Sequence, residues 1–200
     1  MKFLGIYPAT MADGLGVRTS LYLSGCDMDT GTGLNGHCLG CHNPESHCFE
    51  NGDEFDERAE KTLMECLSKP YIAGLCLSGG DPFSIVLQKE SAELLERVKK
   101  ALRPDQNVWA FTGFEWEDLL EGGRRHTEWT DKMLENIDVM VCGPFILAQR
   151  DITEGNVFRG SRNQYILDVK ASLKEGKRVY LENIANNPPD CKETNDGQID

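Results

Sequence analysis

Three cysteines, Cys26, Cys38 and Cys41, follow an apolar run at residues 19–24 that predicts a buried strand. Iron–sulfur clusters are normally held by four cysteine thiolates. A set of three therefore leaves one iron open to an outside molecule, and an open metal position is typical of a reactive site. We interpret the three cysteines as the ligands of such a cluster.

A structural zinc site is the alternative interpretation of the same loop. The C-x2-C spacing of Cys38 and Cys41 suits zinc as well as it suits iron. The remaining zinc ligands would come from four nearby residues: His37, His42, His47 or Cys48.

The composition is that of one soluble globular domain. The chain has 200 residues, of which 40% are hydrophobic and 27% charged, enough for a sizeable core. Its formal net charge of −12 argues against nucleic-acid binding, which requires clustered Lys and Arg. It has no apolar run of membrane-spanning length and no signal peptide. We therefore expect a cytoplasmic protein with no nucleic-acid or membrane partner, whose eight cysteines include metal ligands.

The elements that must position the cysteine loop alternate between strands and helices. Apolar runs predict four strands, at residues 19–24, 74–78, 107–112 and 139–142. Amphipathic patterns predict three helices, at residues 55–69, 91–102 and 118–134. A last strand–helix–strand unit is predicted at residues 164–168, 171–175 and 178–181.

This alternation predicts a parallel sheet. Because the chain is shorter than the roughly 250 residues of a complete eight-fold barrel, we predict an α/β fold, a partial (open) β/α barrel of about five or six mostly parallel strands. The domain is predicted to span residues 1–181. The polar residues 182–200 are predicted to form a mobile tail.

A second candidate site lies at the end of the strand at 74–78, in a run of four residues: Ser78, Gly79, Gly80 and Asp81. Parallel sheets bind ligands at the C-terminal ends of their strands. Glycines there let backbone carbonyls approach an ammonium group. A tight turn with Asp81 as a helix N-cap is the alternative. The polar run RGSRNQ at 159–164 suits a carboxylate or ribose, or a turn before the last strand, and both stay open.

Seven short motifs occur in order between about residues 5 and 181: DGLGVR (13–18), LSGC (23–26), CLGCHN (38–43), LSGGDP (77–82), WAFTGF (109–114), GPF (143–145) and RGSRNQ (159–164). None is decisive alone, but their order is specific. Together they resemble the radical S-adenosylmethionine activases, and among these the activating proteins of anaerobic ribonucleoside-triphosphate reductases.

The resemblance implies that Cys26, Cys38 and Cys41 hold a [4Fe–4S] cluster whose open iron binds S-adenosyl-L-methionine. His42 stands where the family usually has an aromatic residue beside the adenine. The further cofactor-binding residues would be Gly40, Ser78, Gly79, Gly80, Asp81, Arg159 and Asn163. No acid–base catalytic residue is implied.

The implied partner is the large subunit of an anaerobic ribonucleoside-triphosphate reductase, which would receive a glycyl radical. The electrons would come from a low-potential donor such as flavodoxin. Two alternatives stay open. One is a radical S-adenosylmethionine enzyme acting on a small molecule, such as 7-carboxy-7-deazaguanine synthase. The other is a zinc- or cluster-bearing binding module without turnover.

The chain departs from this family at the cysteine motif itself. The family spacing is C-x3-C-x2-C, whereas eleven residues separate Cys26 from Cys38 here. Lengthening a loop by this much costs about 1 kcal/mol in closure entropy. We therefore expect residues 27–37 to contain a passive insertion. Removing most of them, so as to restore a three-residue spacing, should leave cluster assembly possible. Arg18 is expected to support the cysteine loop.

Overall fold

The computed structural model describes residues 1–30, 37–152 and 157–187. Its strands are β1 (Lys2–Thr10), β2 (Val17–Leu23), β3 (Asp53–Glu54), β4 (Ile72–Gly79), β5 (Asn107–Phe111), β6 (Val139–Cys142) and β7 (Tyr165–Asp168). They form one seven-stranded sheet in the order β3-β1-β2-β4-β5-β6-β7.

The four central strands, β2, β4, β5 and β6, run parallel to one another. The outer strands are antiparallel to their neighbours: β1 to β2 and β3, and β7 to β6. The predicted α/β class and the parallel centre are confirmed. The sheet has seven strands rather than five or six, and closure into a barrel is not shown.

The predicted strand–helix–strand unit at 164–181 is wrong in two respects. Strand β7 is antiparallel to β6, and residues 178–181 contribute one antiparallel bridge, from Tyr180 to Leu167, instead of a strand. A parallel pair requires a crossover connection, usually an α-helix. The described part of the β6–β7 connection contains only one 3-10 turn, Leu147–Gln149, which agrees with the antiparallel direction.

The described residues form five α-helices: α1 (Glu57–Leu67), α2 (Gln88–Ala101), α3 (Trp116–Leu119), α4 (Glu128–Asn136) and α5 (Val169–Glu175). The first four lie between strands of the sheet, and α5 follows β7. Asp56 caps α1 by accepting a 2.9 Å hydrogen bond from the Ala59 N–H. The predicted helix at 118–134 is two short helices, α3 and α4, separated by a segment that contains Gly122 and Gly123.

The two faces of the sheet carry different cores. Leu75 and Leu77 of β4 belong to a large core that also contains buried residues of α1, α2 and α4. Cys76, between them, belongs to a smaller core with Trp109, Val141 and other residues. This alternation follows from the two-residue period of a strand. Loop residues such as Phe158 and Leu181 pack against the smaller core.

Residues 182–187, where the predicted tail begins, contact the last strand. Ile184 is 9% exposed and belongs to the smaller core. The side-chain amide of Asn187 donates to the Ile166 carbonyl at 2.8 Å. Residues 188–200 of the predicted tail lie outside the described residues. Among the described helices, none has the length and apolarity to cross a membrane.

Candidate functional site

A cavity of about 410 Å³ lies at the C-terminal ends of the parallel strands β2, β4 and β5. All three predicted cysteine ligands line it, although Cys26 is separated in sequence from Cys38 and Cys41. The other predicted residues on its wall are His42, Ser78, Gly79, Gly80, Asp81 and Arg159. The strand ends thus bring most of the candidate residues to one place.

The cysteine loop folds back against the end of β2. The N–H groups of Gly25 and Cys26 donate to the carbonyls of Ser46 and His47, at 2.8 and 3.3 Å. Gly25 has φ +110°, and a Cβ there would lie 2.8 Å from Cγ of Phe49. Glycine therefore allows both the turn and the close contact with the Phe49 ring.

The three thiols are held in surroundings that disfavour an isolated thiolate. Burial raises the pKa of Cys26 to about 12, and burial also raises the pKa values of Cys38 and Cys41. The electrostatic effects of Cys38 and Cys41 raise the pKa of Cys26 further, which agrees with their shared cavity. Three thiolates gathered here would need a compensating cation, and a metal cluster supplies one.

Backbone N–H groups partly offset the effect of burial on the three thiols. Those of Met28, Phe145 and Asn43 lower the pKa values of Cys26, Cys38 and Cys41, respectively. The Asn43 N–H lies 3.4 Å from the Cys41 sulfur. Hydrogen bonds to the sulfurs are one means by which proteins tune iron–sulfur clusters. The donor set therefore fits a cluster held by three thiolates.

The proposed zinc ligands are only partly gathered. His47 lines the cavity, and its ring stacks on that of His37 with centroids 4.0 Å apart, while Cys48 is exposed. Within the described ranges, no three His, Cys, Asp or Glu side chains are arranged around the position of a single ion.

The glycines of the Ser78–Asp81 run allow β4 and β2 to approach closely. A Cβ at Gly79, which has φ +94°, would lie 2.6 Å from backbone atoms of Leu23. A Cβ at Gly80 would overlap the carbonyl oxygen of Gly25 and lie 2.8 Å from its carbonyl carbon. The glycines therefore have a packing role beside any contact with a ligand.

Asp81 connects the ends of β4 and β5 rather than capping α2, which begins at Gln88. Its carboxylate accepts hydrogen bonds from the Phe83 N–H, the Thr112 hydroxyl and the Gly113 N–H, at 2.8–3.0 Å. The side chain is 3% exposed, and this burial raises its pKa to about 7. The N-cap alternative is therefore wrong.

Sequence reasoning missed a polar network on the cavity wall. The Asp13 carboxylate accepts hydrogen bonds from the hydroxyls of Thr10, Ser20 and Tyr22, at 2.7, 2.6 and 3.2 Å. Asp13 and Tyr22 both line the cavity. The alternation along β2 would have indicated them, since Ser20 and Tyr22 face away from Leu21 in the large core.

Residues of the 143–145 and 159–164 segments also line the cavity. The His42 and Phe145 rings are 4.9 Å apart and pack over Gly160, where a Cβ would lie 3.0–3.3 Å from both. Phe145 was not predicted as a site residue, although its motif was recognised. Further apolar side chains on the wall are those of Ala12, Met28, Phe111 and Phe158.

Three predicted residues have structural partners. The Arg159 guanidinium donates to the carbonyls of Ala185 and Asn186, at 2.8 and 2.6 Å, although the residue lines the cavity. Asn163 is not on the cavity wall, and its amide donates to the Pro144 carbonyl at 2.8 Å. Gly40 is also not on the wall and packs beneath Leu147.

Comparison with known proteins assigns the chain to a family. The model of the 4Fe-4S single cluster domain matches residues 12–167. The anaerobic ribonucleoside-triphosphate reductase-activating protein of Haemophilus influenzae is 34% identical over 83% of this chain and 97% of its own length. The chain belongs to the family of anaerobic ribonucleoside-triphosphate reductase-activating proteins. The phage T4 member is 32% identical over 82% of this chain and 92% of its own length. The Escherichia coli K12 member is 27% identical over 83% of this chain and 97% of its own length.

These matches confirm the predicted resemblance to the activating proteins of anaerobic ribonucleoside-triphosphate reductases. They also confirm a 4Fe-4S domain. The matched range contains all seven motifs, the three cysteines and the insertion between the first two cysteines.

Arg18, in the DGLGVR motif, was expected to support the cysteine loop but binds the strands of the sheet instead. It is fully buried, and its guanidinium donates to the carbonyls of Leu15, Leu75 and Asn107 at 2.7–2.9 Å. Burial lowers its pKa to about 10. These bonds join β2, β4 and β5 near their beginnings, so the expectation that Arg18 supports the cysteine loop is wrong.

Proposed function

We propose that the protein activates an anaerobic ribonucleoside-triphosphate reductase by radical S-adenosylmethionine chemistry. The observation that carries this proposal is the convergence of Cys26, Cys38 and Cys41 with the Ser78–Asp81 run in one cavity at the ends of three parallel strands. The family to which the chain belongs supports the activase role, since its members are named for activating this reductase.

Cys26, Cys38 and Cys41 would hold the [4Fe–4S] cluster through their sulfurs, and the Cys41 sulfur accepts a hydrogen bond from the Asn43 N–H at 3.4 Å. When bound, the cluster and S-adenosyl-L-methionine supply one-electron chemistry that ends in hydrogen abstraction from a glycine of the reductase large subunit. The protein's own residues position the cofactor and exclude competing hydrogen donors.

The residues on the cavity wall suit this task. Backbone carbonyls of the Ser78–Asp81 run would accept hydrogen bonds from the amino group of the cofactor. His42 and Phe145, whose rings are 4.9 Å apart, would contact the adenine. Apolar side chains would keep water from the reacting carbon: Met28, Phe111 and Phe158. Gly40 and Asn163 would act from outside the wall, by positioning the loops that carry His42 and Phe145.

The proposal includes a radical S-adenosylmethionine domain at residues 1–181, of the partial β/α barrel type, with a tail at 182–200. A low-potential donor such as flavodoxin and a cytoplasmic location belong to the same proposal. The parallel centre of the sheet, with the site at its C-terminal edge, supports the domain assignment.

The test is metal analysis with an S-adenosylmethionine cleavage assay, carried out anaerobically. The reconstituted protein should bind about four iron atoms per chain and, once reduced, release 5′-deoxyadenosine and methionine in equal amounts. Cys26→Ala, Cys38→Ala and Cys41→Ala should each abolish both results, whereas the exposed Cys48→Ala should retain them. Stoichiometric zinc, or metal loss confined to the Cys48 variant, would support a zinc-binding module instead.

A further inference from the structure

We propose that Arg125 is a positioning residue for Cys26, acting through Asp27, and that the first residues of the 27–37 insertion are part of the site. This inference rests on the proposed function, since it concerns a ligand of the proposed cluster. Four structural observations lead to it.

The first observation is that Asp27, directly after Cys26, is held by all of its backbone polar groups and by its side chain. The Arg125 guanidinium donates to the Asp27 carboxylate at 2.8 Å and to its carbonyl at 2.9 Å. The Asp27 N–H donates to the Ser84 hydroxyl at 3.1 Å, and the Ile85 N–H donates to the same carboxylate oxygen at 3.2 Å. A loop residue fixed in this way has little freedom to reorient.

The second observation is that Arg125 is itself fixed. Its N–H donates to the Asp118 carbonyl and its carbonyl accepts from the Gln88 amide, both at 2.8 Å. Its guanidinium lies 4.3 Å from the centroid of the buried Phe114 ring. The Arg125 side chain is only 17% exposed. The ion pair is therefore more rigid and less screened by solvent than an ordinary surface pair.

The third observation concerns Met28, the next residue. It is 4% exposed and packs against Gly113, where a Cβ would lie 2.8 Å from the Met28 methyl carbon. Met28 lines the same cavity as Cys26. Asp27 lies between Cys26 and this buried side chain, so fixing Asp27 fixes the chain on both sides of it. Outer partners that orient a metal ligand strongly affect metal affinity.

The fourth observation is that the two ends of the insertion meet. The Thr30 hydroxyl donates to the His37 carbonyl at 3.2 Å. Residues 27–30 and His37 therefore form a fixed base, and residues 31–36 between them lie outside the described part. The expectation of a passive insertion does not hold for this base.

The test compares Arg125→Ala with Arg124→Ala. Arg124 is a matched control because it is adjacent, lies 5.7 Å from the same Phe114 ring and pairs with Asp118 instead of the cysteine loop. We expect iron release to a chelator to be at least about tenfold faster in Arg125→Ala than in wild type, and unchanged in Arg124→Ala. Asp27→Asn should show a smaller increase, because it loses the charge but keeps the carbonyl bond.

Two further measurements separate positioning from general stability. In the metal-free protein, peptide mapping after alkylation should show faster modification of Cys26, but not of Cys41, in Arg125→Ala. In the reconstituted protein the reduction potential should shift, because a loosened cysteine loop changes the solvent exposure of the cluster, which helps to set its potential. In Arg125→Lys, which keeps one charged donor, both the alkylation rate of Cys26 and the reduction potential should lie closer to the wild-type values than in Arg125→Ala.

The inference is overturned if Arg125→Ala lowers the melting temperature yet keeps wild-type rates of iron release and Cys26 alkylation. If Arg125→Ala does not fold, Asp27→Asn must still show the smaller increase in the rates of iron release and Cys26 alkylation, and wild-type rates there overturn the inference. A wild-type protein that binds no iron refutes the proposed function instead, and the alkylation comparison still tests the contact between Arg125 and the cysteine loop.

Discussion

The closeness of Gly80 to Gly25 leads to a prediction about Gly80→Ala. A Cβ at Gly80 would overlap the Gly25 carbonyl oxygen and lie 2.8 Å from its carbonyl carbon and 3.0 Å from its nitrogen. Real Cβ contacts are essentially never shorter than 3.0 Å. The obstacle is backbone, which has no alternative rotamer. The Asp81 N–H also donates to that carbonyl at 2.9 Å, so Gly25 cannot move without stretching this bond.

Overpacking of this kind costs about 1–3 kcal/mol, and contact with fixed backbone places Gly80→Ala near 3 kcal/mol. With a slope of about 2–3 kcal/mol/M in urea, the unfolding midpoint of the metal-free protein should fall by about 1 M. Iron content should also fall, because Gly25 precedes the ligand Cys26.

Gly5→Ala is the control for Gly80→Ala. Gly5 lies in a strand, and a Cβ there would meet its nearest atom, in the Tyr7 ring, at 3.5 Å. Its midpoint should stay the same or rise slightly, because alanine reduces the entropy of the unfolded chain. A Gly80→Ala protein with the unfolding midpoint and iron content of Gly5→Ala would refute the argument from close backbone approach.

Three further predictions follow from the site. Burial raises the pKa of Asp81 from 3.8 to about 7. Between these two pH values the folded protein keeps a proton that the unfolded chain has lost. The free energy of unfolding should therefore fall as the pH rises from about 4 to about 7. Urea titrations at several pH values should show a weaker fall in Asp81→Asn, and an equal fall would contradict the assignment. Replacing residues 31–36 by a short linker should retain iron. Replacing residues 27–37 by a three-residue linker, which restores the family spacing, should abolish iron binding, and retention of iron after this replacement would show that the base is dispensable. In equilibrium titrations, His42→Phe should keep the wild-type affinity for S-adenosylmethionine, and His42→Ala should weaken it. Equal affinities of wild type and His42→Ala would show that the His42 ring does not contact the cofactor.

The parts of the fold that follow from the sequence are those set by local burial. The apolar runs predict β4, β5 and β6 within two residues, because these strands are almost wholly buried and central. Strand β1 is missed, since its residues are only partly buried or exposed and it contains Pro8. The direction of β7 is missed for another reason: it depends on the path of a long connection, which carries no periodic signal.

The candidate site divides in the same way. The three cysteines are predicted because their residue type and order already indicate metal chemistry. The contact between Arg125 and Asp27 joins residues 98 positions apart, and only the assembled sheet brings them together. Asn163 belongs to a recognised motif, yet a motif does not show which of its side chains faces the cavity and which one binds Pro144.

The most direct test of the central claim is electron paramagnetic resonance of the reductase after activation. The reconstituted protein, a reductant and S-adenosylmethionine would be mixed anaerobically with the anaerobic ribonucleoside-triphosphate reductase of the same organism. We expect a glycyl-radical signal on the large subunit that requires every component, is absent with Cys38→Ala and is retained with Cys48→Ala. An iron-loaded protein that cleaves S-adenosylmethionine but leaves no radical on the reductase would contradict the activase function.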